Sequence, residues 1–124
     1  MNVLIAEDSK KLSDLVLREL LKDDRVSAVA LANDGRSAID ALIHPDRDAD
    51  DIRFGAVLTD WDLGPGPDGL DVARVAHNVK VPRIILWSAI SRTAAIAADA
   101  RSCPLSILVR TKDDIAAVLE ELLS

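Results

Sequence analysis

Residues 3–8 read VLIAED, four apolar residues that are followed at once by two acids. A second stretch, residues 56–60, reads AVLTD and again ends an apolar run on an acid. Short runs of Val, Ile, Leu and Ala are typical of strands that are buried on both faces of a parallel sheet. Parallel strands end at one common edge of the sheet, and ligands bind at that edge. We therefore expect Glu7, Asp8 and Asp60 to lie close together there.

The same pattern continues along the chain. Apolar runs alternate with helix-like segments five times, which indicates βαβ units and a doubly wound parallel sheet. We predict an α/β fold with the flavodoxin-like strand order 2-1-3-4-5, because this order places strands 1 and 3 side by side. We also predict five helices and a single domain over residues 1–124. The expected strands are 2–6, 27–32, 55–60, 83–87 and 105–110.

Capping residues and helical spacing predict where the helices begin. Ser9 is a candidate N-cap for the first helix and Asp68 for the third, and the last helix is expected to begin with TKDD at 111–114. An alanine-rich segment, about 91–100, is the expected fourth helix. The residues expected to face the core are Leu12, Leu15, Val16 and Leu20 in the first helix and Ala38, Ile39, Leu42 and Ile43 in the second.

Composition narrows the class of protein. The chain has 124 residues, 49% of them hydrophobic and 29% charged, as expected for a globular protein. Its net charge of -6 argues against direct nucleic-acid binding, which requires a basic surface. No apolar run approaches the roughly 18 residues that span a membrane, and no signal peptide is visible. We expect a cytoplasmic protein without membrane insertion. The single cysteine excludes an internal disulfide and a cysteine-based zinc site.

Two further side chains are expected at the acidic edge. Ser88 follows the apolar run 84–87, and Arg110 follows the run 107–109. Clustered carboxylates repel one another and favour a hard divalent cation. With a hydroxyl and a fixed positive charge nearby, such a cluster is suited to phosphoryl transfer. Because Thr111 is a good N-cap, we expect the strand to end at Arg110 and Lys112 to lie in the first helical turn. Arg110 is then expected to contact phosphate more directly than Lys112 does.

Four stretches in this order and spacing resemble the receiver domain of two-component response regulators. They are LIAEDS at 4–9, VLTD at 57–60, DGL at 68–70 and VPRIILWSA at 81–89. Each stretch alone is weakly specific, but together they extend through most of the chain.

The resemblance implies a role for each candidate site residue. Asp60 would accept a phosphoryl group from a phosphohistidine and would also belong to the Mg²⁺ site. Asp8 would bind Mg²⁺ directly, Glu7 through water, and Asp62 through its backbone carbonyl. Ser88 would donate a hydrogen bond to the phosphoryl oxygens. Such a protein catalyses its own phosphorylation and dephosphorylation and is not an enzyme in the usual sense.

The resemblance also implies partners. The phosphoryl donor would be a sensor histidine kinase or a histidine phosphotransfer protein, and a downstream protein would bind the phosphorylated form. The chain ends within the last predicted helix, which leaves no room for an output domain. We therefore expect either a stand-alone receiver that docks on partners or a piece of a longer protein.

The sequence departs from the family pattern in three places. Receivers usually carry a Lys-Pro pair at the end of the fifth strand, where this chain has Arg110 and Thr111, with Lys112 next. Ile107 occupies the position of a usual aromatic residue in that strand, so the aromatic switch of the family is missing. The loop 63–67 (LGPGP) is one residue longer than usual.

Three other functions compete with this interpretation. Asp60 and Asp62 form a DxD motif, which haloacid-dehalogenase-type phosphatases also use, but those enzymes carry it on the first strand. A Toprim-like, metal-dependent nucleic-acid enzyme would pair Glu7 with the DxD motif, although the acidic chain argues against it. A receiver fold that serves only as an interaction module, without normal phosphorylation, is suggested by Arg110 and Ile107.

Overall fold

The computed structural model describes residues 1–43, 54–89 and 107–124. Within these ranges five strands alternate with four helices. The strands are β1 (Asn2–Ala6), β2 (Ala28–Ala32), β3 (Phe54–Asp60), β4 (Arg83–Ser88) and β5 (Ile107–Thr111). The helices are α1 (Lys10–Leu21), α2 (Gly35–Ile43), α3 (Gly69–Asn78) and α4 (Ile115–Leu123). The helix that the sequence predicts at about 91–100 lies outside the described residues.

All five strands are parallel and form one sheet in the order β2-β1-β3-β4-β5, so the predicted strand order is confirmed. β1 lies between β2 and β3, and its Ala6 pairs with Thr59 of β3. Asp60, the last residue of β3, pairs with Trp87 of β4. The C-terminal ends of β1, β3 and β4 therefore lie next to one another.

The sheet is covered on both faces, as its continuous apolar strands predict. Successive residues of a strand point to opposite faces, so Val3 and Ile5 pack on one side while Leu4 and Ala6 pack on the other. The first side holds α1 and α4, with Val16, Leu20 and Leu122 among the buried residues. The second side holds α2 and α3, with Ala38, Leu42, Val72 and Ala76 among them.

Two residues that were expected in the core are not buried. Leu15 of α1 is 37% exposed and Ile43 of α2 is 47% exposed. Leu12 and Ile39, by contrast, pack against the core as predicted. The apolar stripe on each of these helices is therefore wider than the surface that the sheet covers.

The first and third helices begin at the predicted caps. The Ser9 hydroxyl accepts a hydrogen bond from the Leu12 amide (3.4 Å). The Asp68 carboxylate accepts one from the Asp71 amide (2.9 Å), and the Asp71 carboxylate accepts one from the Asp68 amide (3.1 Å). This capping box orients the chain just after the acidic end of β3.

The predicted junction between the last strand and the last helix is wrong. β5 continues to Thr111, and the N-cap of α4 is Asp114, whose carboxylate accepts a hydrogen bond from the Ala117 amide (3.1 Å). The Lys112 amide still donates to the Ser88 carbonyl (3.1 Å), which extends the strand pairing past Thr111. Lys112 therefore lies before the helix, at the C-terminal edge of the sheet, and not in the first helical turn.

Among the described residues, no helix is both long enough and apolar enough to cross a membrane.

Candidate functional site

Three carboxylates meet at the C-terminal edge of the sheet, as the sequence predicts. Glu7 and Asp8 follow β1, and Asp60 ends β3 on the adjacent strand. One carboxylate oxygen from each of the three residues lies within 4.8 Å of those of the other two. Glu7 and Asp60 are only 2% and 6% exposed, whereas Asp8 faces solvent. The cluster therefore has two buried acids and one accessible acid.

Burial disfavours the charged form of Glu7. Loss of solvation raises the pKa of its carboxyl to about 7, and the nearby charge of Asp60 acts in the same direction. Two hydrogen bonds oppose this shift: Oε1 accepts one from the Lys112 ammonium (3.0 Å), and Oε2 accepts one from the Ser9 amide (3.1 Å). The protonated form of Glu7 therefore persists to higher pH than that of an ordinary glutamate.

Lys112 is the cation of this cluster. Its Nζ lies 3.0 Å from Glu7 Oε1 and 3.1 Å from Asp60 Oδ2, so that one ammonium group bridges both buried carboxylates. Burial opposes the charge on Lys112, but its hydrogen bond to Glu7 and the charges of Asp60 and Glu7 outweigh burial and raise its pKa. Lys112 therefore remains protonated at physiological pH.

Arg110 is not at the cluster, contrary to its expected place at the ligand edge. Its guanidinium binds the Glu121 carboxylate of α4 through Nε (2.7 Å) and Nη2 (2.8 Å), and Nη1 donates to the Val109 carbonyl (2.8 Å). The hydrogen bonds to Glu121 raise the pKa of Arg110. Because β5 runs one residue further than expected, Lys112 takes the position at the edge and Arg110 packs along α4.

The two remaining candidates lie near the cluster. Ser88 is the last residue of β4, the strand next to that of Asp60, and it is 4% exposed. The Asp62 carboxylate accepts a hydrogen bond from the Gly64 amide (3.3 Å) within the loop after β3. The role of the Asp62 backbone carbonyl as a metal ligand stays a prediction.

Gly69 is a structural determinant of the cluster whose importance the sequence did not reveal. A Cβ atom at Gly69 would lie 2.0 Å from the Asp60 carbonyl oxygen and 2.7 Å from the Cα of Trp61. Only a residue without a side chain allows α3 to begin this close to the end of β3. The signals in the sequence are that Gly69 directly follows the N-cap, Asp68, and that it belongs to the DGL stretch at 68–70.

Neither a family model nor a curated protein matches the sequence. Solved structures do match the fold over 98% of the chain. A response regulator receiver protein from Sinorhizobium medicae is 24% identical, with a TM-score of 0.71 and 90% of its own chain covered. A response regulator receiver domain from Francisella is 21% identical, with a TM-score of 0.72 and 92% of its chain covered.

The chain has the fold of a response regulator receiver domain. A third neighbour is the receiver domain of a sensor histidine kinase from Pseudomonas aeruginosa, 21% identical, with a TM-score of 0.68; the match covers 98% of this chain and 93% of that one. A magnesium ion is coordinated in the active-site cleft of that protein. The comparison supports the predicted fold, and the roles of the individual residues remain to be tested.

We predict that Glu7 makes the metal-free protein less stable as the pH rises. The pKa of Glu7 is about 7 in the folded chain against 4.5 for the ordinary group. Its contribution to folding is therefore fully present below pH 4.5 and is lost as the pH rises through about 7. The loss should be on the order of 2–3 kcal/mol. Denaturant unfolding in the presence of chelator between pH 4.5 and 8 measures this loss. In Glu7→Gln, the free energy of unfolding should depend less steeply on pH. If the free energy of unfolding falls equally with pH in wild type and in Glu7→Gln, Glu7 is not the source of the pH dependence.

We also predict that Gly69→Ala displaces Asp60. The added methyl group meets backbone atoms that cannot turn aside, so the variant should lose about 1–3 kcal/mol of stability. Gly35→Ala is the matched control, because its Cβ would meet the carbonyl oxygen of Pro67 at 2.1 Å and not an atom of Asp60 or Trp61. Both variants should melt earlier, but only Gly69→Ala should shift the amide resonances of Glu7 and Lys112. Equal shifts from both variants would count against a specific role for Gly69.

Proposed function

We propose that the chain is a phosphoacceptor receiver. In the presence of Mg²⁺, Asp60 takes a phosphoryl group from a phosphohistidine, and the modified domain changes its protein partners. The observation that carries this proposal is the environment of Asp60: its carboxylate shares a cluster within 4.8 Å with two further acids and lies 3.1 Å from a lysine ammonium.

The chemistry needs a carboxylate nucleophile and neutralisation of charge. An Asp60 oxygen attacks phosphorus while the bond from phosphorus to the histidine nitrogen breaks, and the electron pair stays on that nitrogen, which takes up a proton. Phosphoryl transfer passes through a loose transition state, so the protein contributes mainly positioning and positive charge. Lys112 supplies that charge beside the attacking carboxylate. Ser88, buried at the end of the neighbouring strand, would hydrogen-bond the incoming oxygens.

The acids fit a magnesium site by their chemistry. Mg²⁺ binds one or two carboxylates together with water and phosphate oxygens. Asp8 and Asp60 are the candidate direct ligands, Glu7 would act through water, and the Asp62 carbonyl would complete the protein ligands. A bound Mg²⁺ would offset the negative charge of the phosphoryl oxygens.

The partners follow from this role. The donor would be a sensor histidine kinase or a histidine phosphotransfer protein, and the output would be a downstream protein that binds the phosphorylated surface. The net charge of -6 gives no support to direct nucleic-acid binding. We place the protein in the cytoplasm, where such kinases present their phosphohistidine.

A receiver fold that only binds partners is the second candidate. This candidate was suggested by two departures from the receiver pattern, Arg110 and Ile107. The contact of Lys112 with both Glu7 and Asp60 weakens the argument from Arg110, because the site does contain a lysine, two residues after the position where the family pattern has its own. Ile107 remains as the observation in its favour.

Phosphorylation by acetyl phosphate tests the proposed function. Wild type with Mg²⁺ should gain one acid-stable, base-labile phosphoryl group, and chelator should prevent the labelling. Asp60→Asn should abolish it because the nucleophile is lost. Asp62→Asn, the matched control from the same DxD motif, should still be labelled because it retains the backbone carbonyl. A folded wild type without label supports the interaction module, and metal-dependent nucleic-acid cleavage without label supports the Toprim-like alternative.

A second prediction separates the two cations. Lys112→Ala should slow labelling by about 10²-fold, since it removes a charged donor that lies beside the reacting carboxylate. Arg110→Ala breaks a partly exposed ion pair with Glu121 and a hydrogen bond to the Val109 carbonyl, and it should leave the labelling rate within about twofold of wild type. Labelling rates at equal fractions of folded protein make the comparison. If Arg110→Ala slows labelling more than Lys112→Ala does, Arg110 is the cation that contacts phosphate, as the sequence predicts.

A further inference from the structure

Trp87 lies directly beneath the candidate site. It is in β4, one residue before Ser88, and its side chain is fully buried in the cluster that packs α1 and α4 on the sheet. Its indole Nε1 has no hydrogen-bond partner among the described residues. A buried donor without a partner disfavours folding, and an apolar side chain at this position would not carry that penalty. Packing alone therefore does not explain a tryptophan at this position.

The ring of Trp87 faces the Lys112 ammonium. Lys112 Nζ lies 5.6 Å from the ring centroid, within the range of a cation–π interaction, and tryptophan is the strongest partner for such a contact. The same ammonium binds Glu7 at 3.0 Å and Asp60 at 3.1 Å. The two carboxylates and the ring thus contact the same charge.

The backbone keeps the two residues adjacent. The Lys112 amide donates to the carbonyl of Ser88, the residue that follows Trp87. The lysine side chain nevertheless has four rotatable bonds and is 25% exposed, so the backbone contact by itself does not place the ammonium. The electron-rich face of the indole restricts where the ammonium can lie.

We infer that Trp87 is a positioning residue for Lys112: its ring face holds the ammonium between Glu7 and Asp60, where the charge is needed when the phosphoryl group arrives. This inference rests on the proposed function of Asp60 as phosphoacceptor. In this role, the ring of Trp87 acts only through Lys112.

The first measurement is independent of phosphorylation. In the metal-free protein, the Hε protons of Lys112 should be shifted upfield by the ring current of Trp87. Trp87→Leu should remove the shift and Trp87→Phe should retain part of it. Ile85→Ala is the matched control, since it perturbs the same strand and the same buried cluster, and it should leave the shift in place. An unshifted Lys112 resonance in wild type overturns the inference.

The second measurement is the rate of labelling by acetyl phosphate. Trp87→Leu should slow it about fivefold to tenfold, and Trp87→Phe should recover most of the rate. In a Lys112→Ala background, Trp87→Leu should have no further effect, because the group that it positions is gone. Equal rate losses in both backgrounds, or a loss in Ile85→Ala as large as in Trp87→Leu, overturn the inference and indicate a role in packing only.

The two measurements separate failure of the inference from failure of the proposed function. A shifted Lys112 resonance in a wild type that takes no label overturns the phosphoacceptor role and still supports positioning of the ammonium by Trp87. A labelled wild type whose rate is unchanged by Trp87→Leu leaves the phosphoacceptor role standing and overturns the inference. If Trp87→Leu does not fold, Trp87→Phe in the two backgrounds provides the same comparison with a smaller expected difference.

Discussion

One ammonium group, that of Lys112, lies between two carboxylates that the sheet buries side by side. The pairing of β1 with β3 brings the end of each strand, and therefore Glu7 and Asp60, to the same place. Two like charges with so little exposure repel each other and lose their hydration, as the raised pKa of Glu7 shows. The bridging cation compensates for both effects. A cluster of acids can exist at this edge because β5 delivers Lys112 to it.

The fold and the acidic cluster could be predicted because their signals are local. Continuous apolar runs identify buried parallel strands, and an acid that directly follows such a run is carried to the common edge by the topology. Glu7 and Asp60 therefore meet without any further information from the sequence. Ser88 directly follows the apolar run 84–87, and as the last residue of β4 it too lies at that edge.

The choice between Arg110 and Lys112 could not be predicted in the same way. Thr111 and Asp114 are both residues that cap helices, and the prediction of Thr111 rested on the resemblance of 111–114 to a capping box. The long-range contact of Lys112 with Glu7 joins residues 105 positions apart, so no local pattern contains it. The Lys112 amide pairs with the Ser88 carbonyl, and Asp114 caps the last helix, so both features agree with this contact. Together they place the start of α4 after Asp114 and leave Lys112 at the end of the strand. The structural role of Gly69 could not be predicted for a related reason, since its close approach to the Asp60 carbonyl is visible only in three dimensions.

The formal charges of the cluster suggest why a divalent cation and Lys112 are both needed under the proposed function. Three ionised carboxylates and one ammonium leave two net negative charges, which one divalent cation neutralises. Ionising Glu7 fully is unfavourable in the metal-free chain, so cation binding must also stabilise its charged form. Phosphorylation of Asp60 would remove one carboxylate charge and add about two on the phosphoryl oxygens. The cluster would then again carry excess negative charge next to Lys112, whose ammonium is already within 3.1 Å of the modified side chain. Ile107 in β5 has no aromatic ring that could change its rotamer on phosphorylation. Under the proposed function, the domain would therefore respond to phosphorylation through the changed charge around Lys112, which contacts the ring of Trp87, and around Ser88.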